Sequence, residues 1–183
     1  MRRRHSSWLY CHGRGISLVE SLVTICIAGI VVGAVVPSFT SLIERQALRA
    51  AAAELRGDLH LLRSEVRMRR QNLRLALRNE SAGSCYVIHT GPVGGCTCHV
   101  DSAAQCQDGS QPLRTASMPA SGRFTLANRD TTMTFDADRM TVSPTSTLRL
   151  VGKSGAAIHL VVAITGRVRE CSPEGRVPGL TIC

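Results

Sequence analysis

The chain has 183 residues, with 22 Lys or Arg against 13 Asp or Glu, a formal charge of +9 and a pI near 9.8. That length supports one modest core and not several, and the charge suits an acidic partner without demanding one. Aromatic residues are only 3% of the chain, which argues against the stacking platforms used to bind single-stranded nucleic acid.

The N-terminus carries Arg2, Arg3, Arg4 and Arg14, followed by Gly15-Ile16-Ser17-Leu18-Val19-Glu20 and an apolar run to Val36. From Ile16 to Val36 the only charge is Glu20. Roughly 20 apolar residues cross a bilayer as a helix, so residues 16–36 are long enough to span. The basic flank predicts a cytoplasmic N-terminus and an exported remainder. A lone carboxylate in a span costs on the order of 2.5–3.5 kcal/mol on insertion scales, so Glu20 needs a partner at the membrane edge. An ordinary secretory signal, cut near Val32-Gly33-Ala34, is the alternative. Its apolar core is about 7–15 residues, shorter than this one and without an acid near its start. A plain single-span anchor is the other alternative.

The spacing of Gly15, Glu20 and Pro37 around this run resembles the type IV pilin superfamily. The resemblance implies a leader over residues 1–15 and cleavage by a prepilin peptidase between Gly15 and Ile16. It also implies methylation of the new N-terminus, and a transmembrane helix over 16–43. Glu20 becomes the fifth mature residue, whose carboxylate pairs with the N-terminal amine of a neighbouring subunit. Two opposite charges neutralise one another where neither is well solvated alone. Ile16 departs from the usual Phe. Losing the four leader arginines from 22 basic residues, against 13 acidic ones, leaves a formal charge of +5.

Residues 38–70 lack Pro and are rich in Ala, Leu, Glu and Arg. Leu48, Ala52, Leu55, Leu59, Leu62 and Val66 fall on one helical face. The span and this amphipathic half predict one long helix bent near Pro37. The face is expected to pack on the chain's own sheet; a coiled coil is the alternative. Arg45, Arg49, Arg56, Arg63, Arg67 and Arg70 form a stripe within roughly 60° of one another, read as subunit packing or a solvated face.

The period then changes to two. Leu73, Leu75 and Leu77 alternate along residues 72–78, and Cys85-Tyr86-Val87-Ile88-His89 follows as a second strand. Residues 91–112, with Gly, Pro and three Cys, are expected to be a stapled surface loop. Further strands are expected at 123–127, 131–136, 139–143, 147–151 and 157–164, with a hairpin turn at Gly152-Lys153-Ser154-Gly155. One long helix followed by many short strands gives an α+β fold, the helix laid on antiparallel sheet. Residues 44–183 form its soluble domain.

Six cysteines lie in the exported part: Cys85, Cys96, Cys98, Cys106, Cys171 and Cys183. An even set in an oxidising compartment reads as a disulfide framework with 15 possible connectivities. Cys171 and Cys183 are expected to pair, because they stand apart from the others and Pro173, Gly175, Pro178 and Gly179 favour a chain reversal between them. A zinc site from Cys96, Cys98, His99 and Cys106 is the rival reading, with spacing poor for a tetrahedral site. No nucleophile elbow, phosphate loop or His-Glu-x-x-His occurs. No enzymatic activity, metal or cofactor is expected.

The C-terminal segment carries Arg167, Arg169 and Arg176, with Lys153 in the preceding hairpin turn. Arg167 and Arg169 share a face if a strand runs through them, and a Cys171–Cys183 loop would hold Arg176 close. Guanidinium groups bind backbone phosphates through geometry and charge, without reading bases. The strand run, Cys85-Tyr86-Val87-Ile88-His89-Thr90-Gly91 and Thr165-Gly166-Arg167-Val168-Arg169-Glu170-Cys171 resemble the GspH/FimT group of minor pilins and pseudopilins. This resemblance covers almost the whole mature chain. It implies a subunit held in the inner membrane before assembly and in a periplasmic or cell-surface filament afterwards, with other pilins or pseudopilins as partners. At Gly166-Arg167-Val168-Arg169 it resembles FimT-type pilins, implicated in DNA uptake, and the scarcity of aromatic residues makes double-stranded DNA the expected form. The other implied role is a type II secretion pseudopilin that primes a periplasmic filament.

Overall fold

A computed structural model describes residues 17–183, and for 34–38 the backbone alone. The leader and the Gly15–Ile16 junction lie outside the described residues. The chain divides into two units, Met1–Thr40 and Ser41–Cys183.

Helix α1 (Leu18–Arg69, 52 residues) begins in the first unit and ends in the second. Glu20 in its first turn and Arg67 and Arg69 in its last match the sign of the helix dipole at each end. It stops at Arg70, whose φ of 50° leaves the helical region. In the first unit every described side chain is exposed, including Leu18, Ile25 and Ile30 at 70% or more. Among the described residues no helix is long and apolar enough to cross a membrane. The expected span begins at residue 16 and includes the side chains of 34–38, outside that description, while the backbone of α1 runs through Pro37 as one continuous helix.

In the second unit α1 meets two sheets. A five-stranded sheet has the order β5-β2-β1-β7-β8, from β1 (Leu73–Glu80), β2 (Gly83–His89), β5 (Pro112–Pro119), β7 (Thr131–Phe135) and β8 (Val142–Ser143). A four-stranded sheet has the order β11-β10-β9-β6, from β6 (Phe124–Leu126), β9 (Ser146–Gly152), β10 (Ala157–Val162) and β11 (Val168–Cys171). All their named pairings are antiparallel. Between β2 and β5 lie the two-residue strands β3 (Cys96–Thr97) and β4 (Gln105–Cys106).

The predicted helical face is buried in full: Leu48, Ala52, Leu55, Leu59, Leu62 and Val66 join one core with Leu73, Leu75, Leu77, Leu148, Leu150, Ile158 and Leu160. This face therefore packs on the chain's own sheets, and the coiled-coil alternative falls. Each large aliphatic side chain so buried contributes about 1.5–3 kcal/mol. Glu44 tethers α1 to the β9–β10 turn: its carboxylate accepts the Ser154 N–H at 2.9 Å and the Ser154 hydroxyl at 2.7 Å. Gly152 permits that approach, because a Cβ there would collide with the same carboxylate.

Two expectations need correction. The strand expected at 139–143 shrinks to Val142–Ser143. Asp136 captures the chain in a turn, accepting the N–H groups of Asp138 (3.0 Å) and Arg139 (2.7 Å), and Met140 turns to a φ of 54°. The loop expected to run to 112 gives way to an unforeseen strand, β5, framed by Pro112 and Pro119. Its side chains are mostly exposed and show no apolar alternation, so its signal was weak.

Candidate functional site

The cysteines pair as Cys85–Cys98, Cys96–Cys106 and Cys171–Cys183. The terminal pair is the one expected. The zinc alternative is overturned, because Cys96, Cys98 and Cys106 are all disulfide-bonded and His99 lies 2.9 Å from the Glu80 carboxylate. Residues 172–183 are fixed to the core by buried Val177, and to α1 by Arg49, which donates to the Pro178 carbonyl. Cys183 Sγ lies 3.7 Å from His159 Nδ1.

Arg167 and Arg169 are both exposed. The Ala163 N–H donates to the Arg167 carbonyl at 2.9 Å, carrying the β10–β11 ladder one pair past Val162↔Val168. Arg167 and Arg169 therefore share one face of the sheet, since strand side chains alternate. Glu170 points to the other face: it pairs across the ladder with buried Leu160 and lies 3.5 Å from Arg56 of α1. No acid is thus ion-paired to Arg167 or Arg169 among the described residues. Gly166, with a φ of 72°, makes the tight turn ahead of them. A Cβ on Gly166 would sit 3.4 Å from Arg63 Cδ, so a cation from the helix stripe flanks this turn. Arg63 and Arg167 are far apart in sequence, and no local pattern links them.

The structure does not bring all four predicted cations together. Lys153 and Arg176 lie at the opposite end of β10 from Arg167. Arg176 is 2.6 Å from the Glu174 carboxylate and donates to the Ser154 carbonyl at 3.4 Å. Lys153 Nζ donates to the Ser121 carbonyl at 3.2 Å. Arg176 is thus partly neutralised, while Arg167 and Arg169 remain free to meet an anion.

A second polar cluster escaped the sequence reading. The Tyr86 hydroxyl donates to Asp58 Oδ2 at 2.7 Å, and Arg114 donates to the same oxygen at 3.1 Å while reaching Glu54 at 2.9 Å. Burial, then the Asp58 bond, pushes the Tyr86 hydroxyl far above its ordinary value of 10, so it stays a donor. The Asp58 bond likewise raises the Arg114 guanidinium. The cluster joins α1 to β2 and β5. Glu20 sits exposed in the first unit, among exposed apolar side chains.

In comparison with known proteins, the family model described as type II transport protein GspH fits residues 51–166, more than half of the chain. No curated protein and no solved structure matches.

Proposed function

The chain belongs to the GspH family of type II transport proteins, and from that premise we propose that it is a minor-pilin-type filament subunit that binds double-stranded DNA through its basic C-terminal segment. Membership supports a pilin or pseudopilin role in a filament. In this reading a prepilin peptidase cuts between Gly15 and Ile16, and the apolar half of α1 lies in the inner membrane until assembly. Glu20 then pairs with the amine of the next subunit. The exposure of every described side chain from residue 17 to 33 supports this, since such a surface calls for lipid or neighbouring helices. Intact mass of membrane-purified protein should show loss of residues 1–15 and one added methyl. A mature N-terminus near residue 35 would sink that part of the reading.

The observation that carries the DNA role is the pair Arg167 and Arg169, exposed on one sheet face with their neighbouring acid turned inward to Arg56. Backbone phosphates suit such a pair, and the contact would be salt-sensitive and weakly sequence-dependent. Full chain in detergent should retard a duplex DNA fragment at low salt. Arg167→Gln with Arg169→Gln should lower the salt slope of log K by about two units. Exposed Arg45→Gln on α1 serves as control. Arg63 is unsuitable for that purpose because it flanks Gly166. The second reading is a type II secretion pseudopilin that uses its faces to bind other pseudopilins. The family description favours it, and absence of any shift by wild type at low salt would put it in place of the DNA role.

A further inference from the structure

The four-stranded sheet has an inner face, filled by Leu126, Leu148, Leu150, Ile158, Leu160 and Val162, and an outer face that the C-terminal motif only begins to describe. The register sets what lies outside. Arg169 pairs with Val161, and Val161 with Thr147; Cys171 pairs with His159, and His159 with Arg149. On the far edge Thr125 pairs with Val151, and the Lys153 N–H donates to the Arg123 carbonyl at 3.3 Å, continuing that register. Arg123 and Lys153 thus stand on the same face as Arg149, and Arg167 extends it at the other end. Glu170 is the one carboxylate side chain carried by β6, β9, β10 and β11, and it faces inward. Arg123, Arg149, Arg167 and Arg169 are exposed and have no ion pair among the described residues.

These cations run diagonally across the face. From Arg167 to Arg123 is about eight residues along the strand direction and three strands across, roughly 30 Å at standard strand spacings. One turn of duplex DNA is about 34 Å. The face offers no Phe, Tyr or Trp ring to a base, because Phe124 turns inward to the core, and its one imidazole, His159, is partly buried beside Cys183. That disfavours a single strand, which needs stacking.

We infer that duplex DNA lies across this outer face, with backbone phosphates along nearly one turn meeting Arg123, Arg149, Lys153, Arg167 and Arg169. The inference rests on the DNA reading above and differs from it in placing the duplex on the sheet, with Arg123 and Arg149 as further contacts. Nothing local in the sequence joins Arg123 to Arg167; only the strand order does.

The salt dependence of duplex binding by the full chain in detergent tests it. Each neutralised phosphate adds about 0.9 to the slope, so five contacts give about −4 to −5, whereas Arg167 and Arg169 alone give about −2. Arg123→Gln with Arg149→Gln should reduce the slope by about two units, and the charge-keeping Arg123→Lys with Arg149→Lys should retain it. If the Gln pair binds as wild type while Arg167→Gln with Arg169→Gln does not, the duplex meets the C-terminal segment alone; the face falls and the DNA reading stands. If wild type gives no shift, both fall. If the Gln pair loses binding to vesicles of anionic lipid but not to duplex, the face serves a lipid surface and the inference is overturned.

Discussion

The five-stranded sheet turns Ala76, Cys85, Val87 and His89 away from the main core, and the four-stranded sheet turns Arg149, Val161 and Arg169 away from it. The first set is buried: Ala76, Cys85 and Val87 form a second small core with Cys96 and Cys98 of the stapled loop, and His89 has no exposed surface. The second set is bare except where Cys183 reaches Cys171 and His159. Both faces come from the same two-residue alternation. The residue types at alternate positions decide whether a face gains a lid or meets solvent and partners. Apolar and cysteine side chains give the covering segment a surface to pack on, and the half-buried Arg74 and Arg78 share that face without an ion pair among the described residues, Arg74 donating to the Gly91 carbonyl. The difference places a packed cluster on one sheet's outer face and, in the function proposed above, DNA binding on the other's.

Disulfide removal should break that comparison most forcefully. Cys85–Cys98 and Cys171–Cys183 span nearly equal separations, 13 and 12 residues. Lost chain entropy is therefore similar, about 3 kcal/mol for each. Cys85→Ala with Cys98→Ala should cost more than this, at the upper end of about 2–5 kcal/mol, because it also opens a dry cluster. Cys171→Ala with Cys183→Ala should stay near the entropic value, since Cys183 is exposed. Urea unfolding of the full chain in detergent measures both; equal losses would mean that the lid adds no packing.

A smaller effect should sharpen the contrast through pH. Burial holds the imidazole of His89 below its ordinary 6.5, opposed by its bond to the Thr90 carbonyl and reinforced by Arg74. Burial, then Arg149, does the same for His159. The folded chain thus resists protons that the unfolded chain accepts. Stability should be full above about pH 6.5 and decline as pH falls toward the folded values. His89→Gln should remove more of that decline than His159→Gln, because His89 is fully buried and His159 only partly so. A curve flattened more by His159→Gln would contradict the assignment of the drier face.

The residues that repeat with a local period were legible before any coordinates. The Leu48–Val66 stripe, the Leu73–Leu77 alternation and the Gly152–Gly155 turn each declare themselves within a few residues, through side-chain direction and turn chemistry. The Cys171–Cys183 pair was likewise readable from its isolation. The pairing among Cys85, Cys96, Cys98 and Cys106 was not, because four nearby thiols allow three connectivities. β5 was hidden for a different reason: an edge strand with exposed side chains has no apolar alternation to read.

The sequence by itself determined the α+β class, the buried face of α1, the pilin-type N-terminal motif and two exposed arginines after Gly166. Only the tertiary structure decided that Arg63 flanks that glycine, that Arg176 pairs with Glu174, and that Arg123 and Arg149 share a face with Arg167 and Arg169. Helical and strand periods are written into neighbouring residues. Strand order is fixed by how α1 and two sheets close over one core, so it brings together cations that no local pattern connects.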